Sequence, residues 1–337
     1  MYTYPIISIL ISSTVSYISM RLLIPILRAK GIISVDVHKP ERPTVANMGG
    51  ISIFIGILAS YILLVFLGVS QDLFIKLMTM LGVILMATVL GFLDDLKPIK
   101  GLLKTFLSIP AVLPIILSAK FYPHVIVIGR PEVPIVGRLR LTIVYWMLLP
   151  LAVAGPANAV NMLEVMNGIM PITCSLALIP IMIGQALLRR FEDIVLTASL
   201  FGALLGYLPF NKYPAKVFSG NLGSLLVGAY IGAIAILSRI EVLTMIALMP
   251  HLVNAFLVIS SVGFKERREM SERPVRVGEN GFIHVNPSKR APITLVRFIV
   301  LISGPLKEKD IIKVITYLQV IASILAIFTA LLYLVKI

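Results

Sequence analysis

Residues 77–95 read LMTMLGVILMATVLGFLDD, an uncharged run over 77–93 closed by two adjacent aspartates. An apolar run of this length belongs either to a buried core helix or to a membrane span, and the rest of the chain decides between them. Of 337 residues, 58% are hydrophobic and 14% charged, and the mean hydropathy is +0.99. At ~20 apolar residues per span, about ten spans take up roughly two hundred residues and leave no room for a large soluble domain. The sequence therefore reads as an all-α integral membrane protein, a single polytopic domain over 1–337, and soluble enzyme folds are excluded. Cys174, the single cysteine, excludes an intrachain disulfide or a thiolate metal cluster.

The apolar runs fall at 4–27, 47–67, 75–93, 105–119, 141–155, 172–188, 193–209, 221–238, 241–263 and 313–335. Arg21 and Pro25 near the end of the first run, with no small-residue cleavage site, mark it as a retained span. Loops after the odd-numbered spans carry 19 Lys and Arg, whereas the opposite side, Lys336 included, carries nine. Positive charge collects on the cytoplasmic side, so these loops face the cytoplasm and both termini lie outside. The +14 net charge is then largely a topology signal, and nucleic acid is not the expected partner. Outside the spans, 121–140 alternates β-branched residues around Gly129-Arg130-Pro131 and predicts a small outer β-hairpin. Residues 264–312 form an extended cytoplasmic loop between spans nine and ten, with turn signals in GENGFIHVNP.

Ionisable groups at a membrane boundary usually mark a site, and here they gather in the cytoplasmic loops. Adjacent Asp94 and Asp95 repel unless a cation or proton lies between them, which favours a divalent ion; a solvated helix end is the plain alternative. In GPANAVNMLEVMNG, residues Asn158, Asn161, Glu164 and Asn167 recur every three positions. On a helix the first three share one face within ~120°, able to ligate a cation or read a base edge; an interfacial helix cap with Asn in turns is the plain alternative. In VFSGNLGS, Gly220 and Gly223 flank Asn221 at the start of an apolar helix, where free N–H groups suit a phosphate or where Asn221 is simply a cap. The first loop, DVHKPERPTVANMGG, supplies Asp36, His38 and Lys39, and the four scattered histidines show no metal spacing. Arg273 and Arg276 in the last loop suit phosphate, or anionic lipid. Carboxylates, amides, a glycine turn and basic groups on one side of a membrane together suit Mg²⁺, a phosphorylated substrate and a lipid.

The order of DVHKPERPTVANMGG, GFLDDLKPIKGLLK, NAVNMLEVMNG and VFSGNLGS resembles the polyprenyl-phosphate N-acetylhexosamine-1-phosphate transferases. That resemblance implies transfer of a sugar-1-phosphate from a UDP-sugar to a polyprenyl phosphate at the cytoplasmic face of the plasma membrane. It also implies release of UMP and dependence on Mg²⁺, with Mn²⁺ a second suitable ion; homodimers are common in the family. Carried over by motif, Asp94, Asp95 and Lys104 take catalytic positions, with Lys104 at the pyrophosphate. Asn161 matches a magnesium ligand. Asn167 and Gly168 fall where uracil is read, and Glu164 stands where bacterial members have aspartate. Lys39, Asn158, Arg273 and Arg276 complete the substrate-binding set. The absence of the bacterial His-rich signature favours the GlcNAc-transferring branch.

One departure stands out. The family's Gly-Asp, whose aspartate ligates magnesium, is Gly220-Asn221 here, one negative charge fewer for a hard dication. Compensation by the aspartates and Glu164, or a weakened or retired member that binds nucleotide or lipid phosphate, are the two readings this leaves. A secondary transporter is a third, opposed by polar groups sitting in loops and not in broken helices at mid-membrane.

Overall fold

The structure, a computed structural model, describes residues 3–265 and 267–335; Lys336, counted on the outer side above, lies outside the described residues. Helix α1 (Thr3–Ala29) leads through the paired strands β1 (Ile33–Val35) and β2 (Thr44–Ala46) to α2 (Gly50–Phe66) and α3 (Gln71–Leu96). Next come α4 (Gly101–Ser108), a 3-10 turn (Ile109–Val112) and α5 (Leu113–Phe121), then β3 (Glu132–Val133) and β4 (Gly137–Arg138). Helices α6 (Thr142–Leu163), α7 (Ile169–Leu187), α8 (Phe191–Asn211) and α9 (Gly220–Leu237) follow. The chain ends with α10 (Glu241–Ala247), α11 (Met249–Val262), β5 (Val275–Val277), β6 (Phe282–Val285), α12 (Leu295–Ser303), β7 (Leu306–Lys307) and α13 (Glu308–Leu332).

Among the described residues, eight helical stretches are long and apolar enough to cross a membrane, α4 to α5 counting as one. A ninth arises if α10 and α11, bent by 76° at Leu248, form one span; α2 is apolar but 17 residues long. Every apolar run read from the sequence falls on one of these helices or helix pairs, and the chain is a multi-pass membrane protein.

Three local readings are corrected. Helix α6 continues past the apolar run through Pro156 to Leu163, so Asn158 and Asn161 belong to its last turns and not to a loop. The Asn158 Nδ2–H donates to the Ala154 carbonyl at 2.8 Å, satisfying an amide that would otherwise call for water. The hairpin pairs Glu132 with Arg138 and Val133 with Gly137, which puts its turn at 134–136 and not at Gly129-Arg130-Pro131. Glu132 reaches Arg190 at 2.7 Å and thereby ties this hairpin to the start of α8. Finally, the 264–312 segment contains α12, capped by Thr294 Oγ1 accepting from the Arg297 N–H. Leu295, Val296, Ile299 and Val300 are buried along one side of it.

The buried centre is α9, whose residues from Leu222 to Leu237 are all buried, packed chiefly on α6 and α3. Lipid tails are as apolar as leucine, so helix association here rests on close packing of small residues. A Cβ at Gly228 would overlap the Pro156 carbonyl oxygen and the Ala157 Cα of α6. Gly228→Ala is expected to destabilise the protein by about 1–3 kcal/mol, since the obstructing atoms are backbone. Thermal unfolding in detergent checks this; an unchanged midpoint would mean α6 and α9 can part without loss.

Candidate active site

Five segments meet at one end of the helices: the β1–β2 turn, the end of α3, the end of α6, the start of α9 and the 264–308 region. They enclose a cavity of about 1400 Å³ whose lining includes Asp95, Asn158, Asn161, Glu164, Asn167 and Asn221. Its lining is also basic, with Arg267, Arg268, Arg273 and Arg276. Away from this polar end the same cavity runs between α6 and α11 over Met147, Leu151, Leu252 and Ile259. Charge at one end and hydrocarbon at the other suit an amphiphile with a phosphate head.

The two adjacent aspartates take different partners. Asp94 is 3% exposed; its Oδ1 accepts from the Ile99 N–H at 2.7 Å and its Oδ2 from Lys104 Nζ at 3.1 Å. Lys104, 1% exposed on α4, thus supplies the cation that adjacent carboxylates require. Asp94 opens onto a separate pocket of about 110 Å³ with Lys100, Asn221, Arg268 and Glu269. Asp95 faces the large cavity and caps α9, accepting the Asn221 N–H at 2.9 Å and the Leu222 N–H at 3.0 Å. Gly220 has φ +73°, and a Cβ there would overlap the Asp95 carboxylate. The start of α9 is therefore filled by a carboxylate, so the sequence expectation that these N–H groups receive a phosphate does not hold.

Glu164 caps the end of α6 and accepts a hydrogen bond from Ser219 Oγ. Burial pushes its carboxyl up to about 7, a rise opposed by the Ser219 and Ser224 hydroxyls and reinforced by the nearby Asp95 charge. Ser224 Oγ donates to Asn161 Oδ1 at 2.8 Å, placing the Asn161 amide beside the two carboxylates. Asp95, Glu164 and Asn161 are hard oxygen donors facing one space, and a divalent cation relieves the repulsion between the two acids; the donor set fits Mg²⁺.

Lys39 lies between Asp36 and Glu308, bonded to Asp36 and 3.6 Å from Glu308 Oε2. It also donates to Asn167 Oδ1 at 2.9 Å and sits 4.8 Å from the centre of the Tyr213 ring. Asn167, expected at the base, is engaged on both sides: Oδ1 also accepts from the Ala215 N–H at 2.8 Å, and Nδ2 donates to Asp36 at 3.1 Å. The Gly168 N–H donates to Asn211 Oδ1 at 3.1 Å. Asp36, His38 and Glu308 bring ligand atoms within 4.8 Å of one another, a cluster that histidine spacing did not reveal. The Lys39 ammonium already compensates its carboxylates, so it reads as an ion-paired knot joining α13 to the first loop. Burial, with Arg267 adding to it, pulls the His38 imidazole down to about 4. A histidine held neutral in the folded state contributes stability present above its unfolded value, near ~6.5, and lost as pH falls toward the folded one. The protein is expected to lose stability between about pH 6.5 and 4, and His38→Gln to flatten that loss. A His38 resonance titrating above pH 6 would contradict this.

Sequence reasoning missed Arg267, Ser219, Asn211 and Glu308. Arg267 is one of several basic residues in its loop, and Ser219 and Asn211 carry no signal until the end of α6 and the start of α7 meet them. Glu308 looks like an ordinary acidic first-turn residue of α13. Arg273 and Arg276 do line the cavity, and Glu269 Oε2 accepts the Gly101 N–H at 2.9 Å, drawing the arginine-bearing segment across to α4.

The profile of glycosyl transferase family 4 matches residues 77–239, the stretch from α3 to the end of α9 that supplies both aspartates, Asn161, Glu164 and Asn221. A Saccharolobus solfataricus protein named as a UDP-N-acetylglucosamine–dolichyl-phosphate N-acetylglucosaminephosphotransferase is 31% identical over 253 residues, 74% of this chain and 76% of that one. The chain belongs to glycosyl transferase family 4. A Sulfolobus acidocaldarius protein of the same name is similar to this family 4 member at 29% identity over 96% of the chain and 95% of its own length. The phospho-N-acetylmuramoyl-pentapeptide-transferase of Halalkalibacterium halodurans is 31% identical over 68% of this chain and 72% of its own. The family 4 chain is accordingly a membrane-embedded transferase of the glycosyl-1-phosphate kind.

Proposed function

We propose that this protein transfers N-acetylglucosamine-1-phosphate from UDP-N-acetylglucosamine to a polyprenyl phosphate of the dolichyl type, at the cytoplasmic face, releasing UMP. The observation that carries the reading is the single cavity joining Asp95, Glu164 and Asn161 to a basic wall and an apolar cleft. The choice of sugar follows the name of a relative matched over nearly its full length.

Asp95, Asn161 and Glu164 would hold Mg²⁺, which when bound supplies charge neutralisation at the pyrophosphate. Arg267, Arg273 and Arg276 line the same cavity and offer the guanidinium forks that suit phosphate oxygens. Met147, Leu151 and Ile259 lie along the cleft that would take the first isoprene units. A phosphate monoester has its second pKa near ~6, so the lipid nucleophile is mostly dianionic at pH 7 and needs little help from a base. Its oxygen attacks the phosphorus bearing the sugar, the bond from that phosphorus to the bridging oxygen breaks, and UMP departs with the electron pair. Positioning and charge neutralisation then carry catalysis.

The alternative, an aspartyl-phosphate intermediate, needs a carboxylate oxygen free to attack. Asp94 is turned to Ile99 and Lys104, and Asp95 accepts three N–H bonds at the start of α9. Both dispositions favour direct attack. The test is UMP release by the purified protein given UDP-N-acetylglucosamine, with and without polyprenyl phosphate and with and without Mg²⁺. Release that requires both is expected. UMP formed without lipid would overturn direct attack, and bound nucleotide with no UMP would mark a retired enzyme.

A further inference from the structure

We infer that Asn221 is a positioning residue, an adaptor that holds Asp95 and Lys104 in register across the start of α9, and not a ligand of the divalent ion. The inference rests on the transfer reading above. Its basis is that both ends of the Asn221 amide are bonded to charged groups of the support behind the cavity. Nδ2–H donates to Asp95 Oδ1 at 3.0 Å, and Oδ1 accepts from Lys104 Nζ at 3.3 Å. The partners fix the orientation of the amide, because an ammonium can only donate and a carboxylate can only accept. A chain of bonds thus runs from the Ile99 N–H through Asp94, Lys104 and Asn221 to Asp95, with Asp95 the member that lines the cavity alongside Asn221.

Residue type matters at each link. Between a carboxylate and an ammonium, an amide satisfies both, since it presents a donor on one atom and an acceptor on the other. An aspartate there would satisfy Lys104 but place a second anion against Asp95. An alanine would satisfy neither and leave Asp95 held by backbone N–H groups alone. Ion binding then falls to the remaining lone pairs of Asp95, to Glu164 and to Asn161, and the loss of one charge at position 221 is answered by a more firmly fixed Asp95. Groups that orient a ligand from behind typically matter by about 10–100-fold in affinity or activity.

The experiment counts the waters on bound Mn²⁺ by pulsed electron paramagnetic resonance in ¹⁷O-enriched water, with substrates absent, and follows UMP release separately. Asn221→Ala is expected to keep the wild-type water count while its kcat falls about tenfold or more, with KM for the UDP-sugar changed less than about twofold. Asn161→Ala is expected to add one water, as removal of a true ligand must. Asn221→Ser, a smaller perturbation, is read in the same way if the alanine variant does not fold. An added water in either Asn221 variant overturns the inference, as does unchanged kcat. A wild type that binds no Mn²⁺ overturns the assignment of the ion to Asp95, Asn161 and Glu164. If the wild type binds Mn²⁺ but releases no UMP, the transfer reading fails while the water count still decides the role of Asn221.

Discussion

Lys104→Met is expected to destabilise the protein by about 3–5 kcal/mol, the range for removing one partner of a buried ion pair. Lys104 and Asp94 are both almost wholly buried, 1% and 3% exposed, and 3.1 Å apart. Without the ammonium, Asp94 retains the Ile99 N–H as a partner but no compensating charge, and Asn221 Oδ1 loses the Lys104 donor. An uncompensated buried carboxylate then has to take up a proton or draw in water, and either response weakens the native packing. The double variant Asp94→Asn, Lys104→Met should recover most of the loss, because the neutral amide still accepts from Ile99 and strands no charge. Thermal unfolding of the two single variants and the double variant forms a complete cycle. If Lys104→Met alone shifts stability by less than about 1 kcal/mol, the pair behaves as an exposed one and the buried support behind the site does not exist.

This pair shows what a sequence can and cannot disclose about such a site. The spans were legible because hydrocarbon tolerates few charges, so α3 and α13 announce themselves by composition alone. Asp94-Asp95 was legible as a charged boundary for the same reason. Their division of labour was not, since neighbours on a helix point in directions about 100° apart and their partners lie on α4 and α9. The continuation of α6 to Leu163 was hidden by Gly155-Pro156, which reads as a break until α9 packs against that turn. Helix α12 is nine residues long, too short for periodicity to stand out in a long polar segment. The Asp36–Lys39–Glu308 knot joins the first loop to the last helix, and no local pattern marks a contact between segments so distant in the chain. Lys39 could be singled out by its motif; the acid it meets on α13 could not.

Asp95→Ala is expected to lower UMP release about a thousandfold or more, with a much smaller loss of stability. The carboxylate lines the cavity with Asn161 and Glu164, so under the proposed transfer its removal takes a negative charge from the place that would hold the ion at the pyrophosphate. Charge stabilisation by a metal in the transition state amounts to several kcal/mol, and about 4 kcal/mol is a thousandfold in rate. The same carboxylate caps α9 through the Asn221 and Leu222 N–H groups, and loss of a cap costs ≈ 0.5–2 kcal/mol. Asp95→Asn separates the two effects: one amide oxygen can still receive an N–H from α9, while the charge is gone, so stability should recover in part and activity should not. Asp94→Asn supplies the comparison, because that residue sits behind the cavity wall against Lys104. Its kcat is expected to fall well short of the Asp95 loss, with unfolding shifted instead. Equal collapse of kcat in both asparagine variants, at unchanged stability, would mean the two aspartates act on substrate together and that the partition between support and site is wrong.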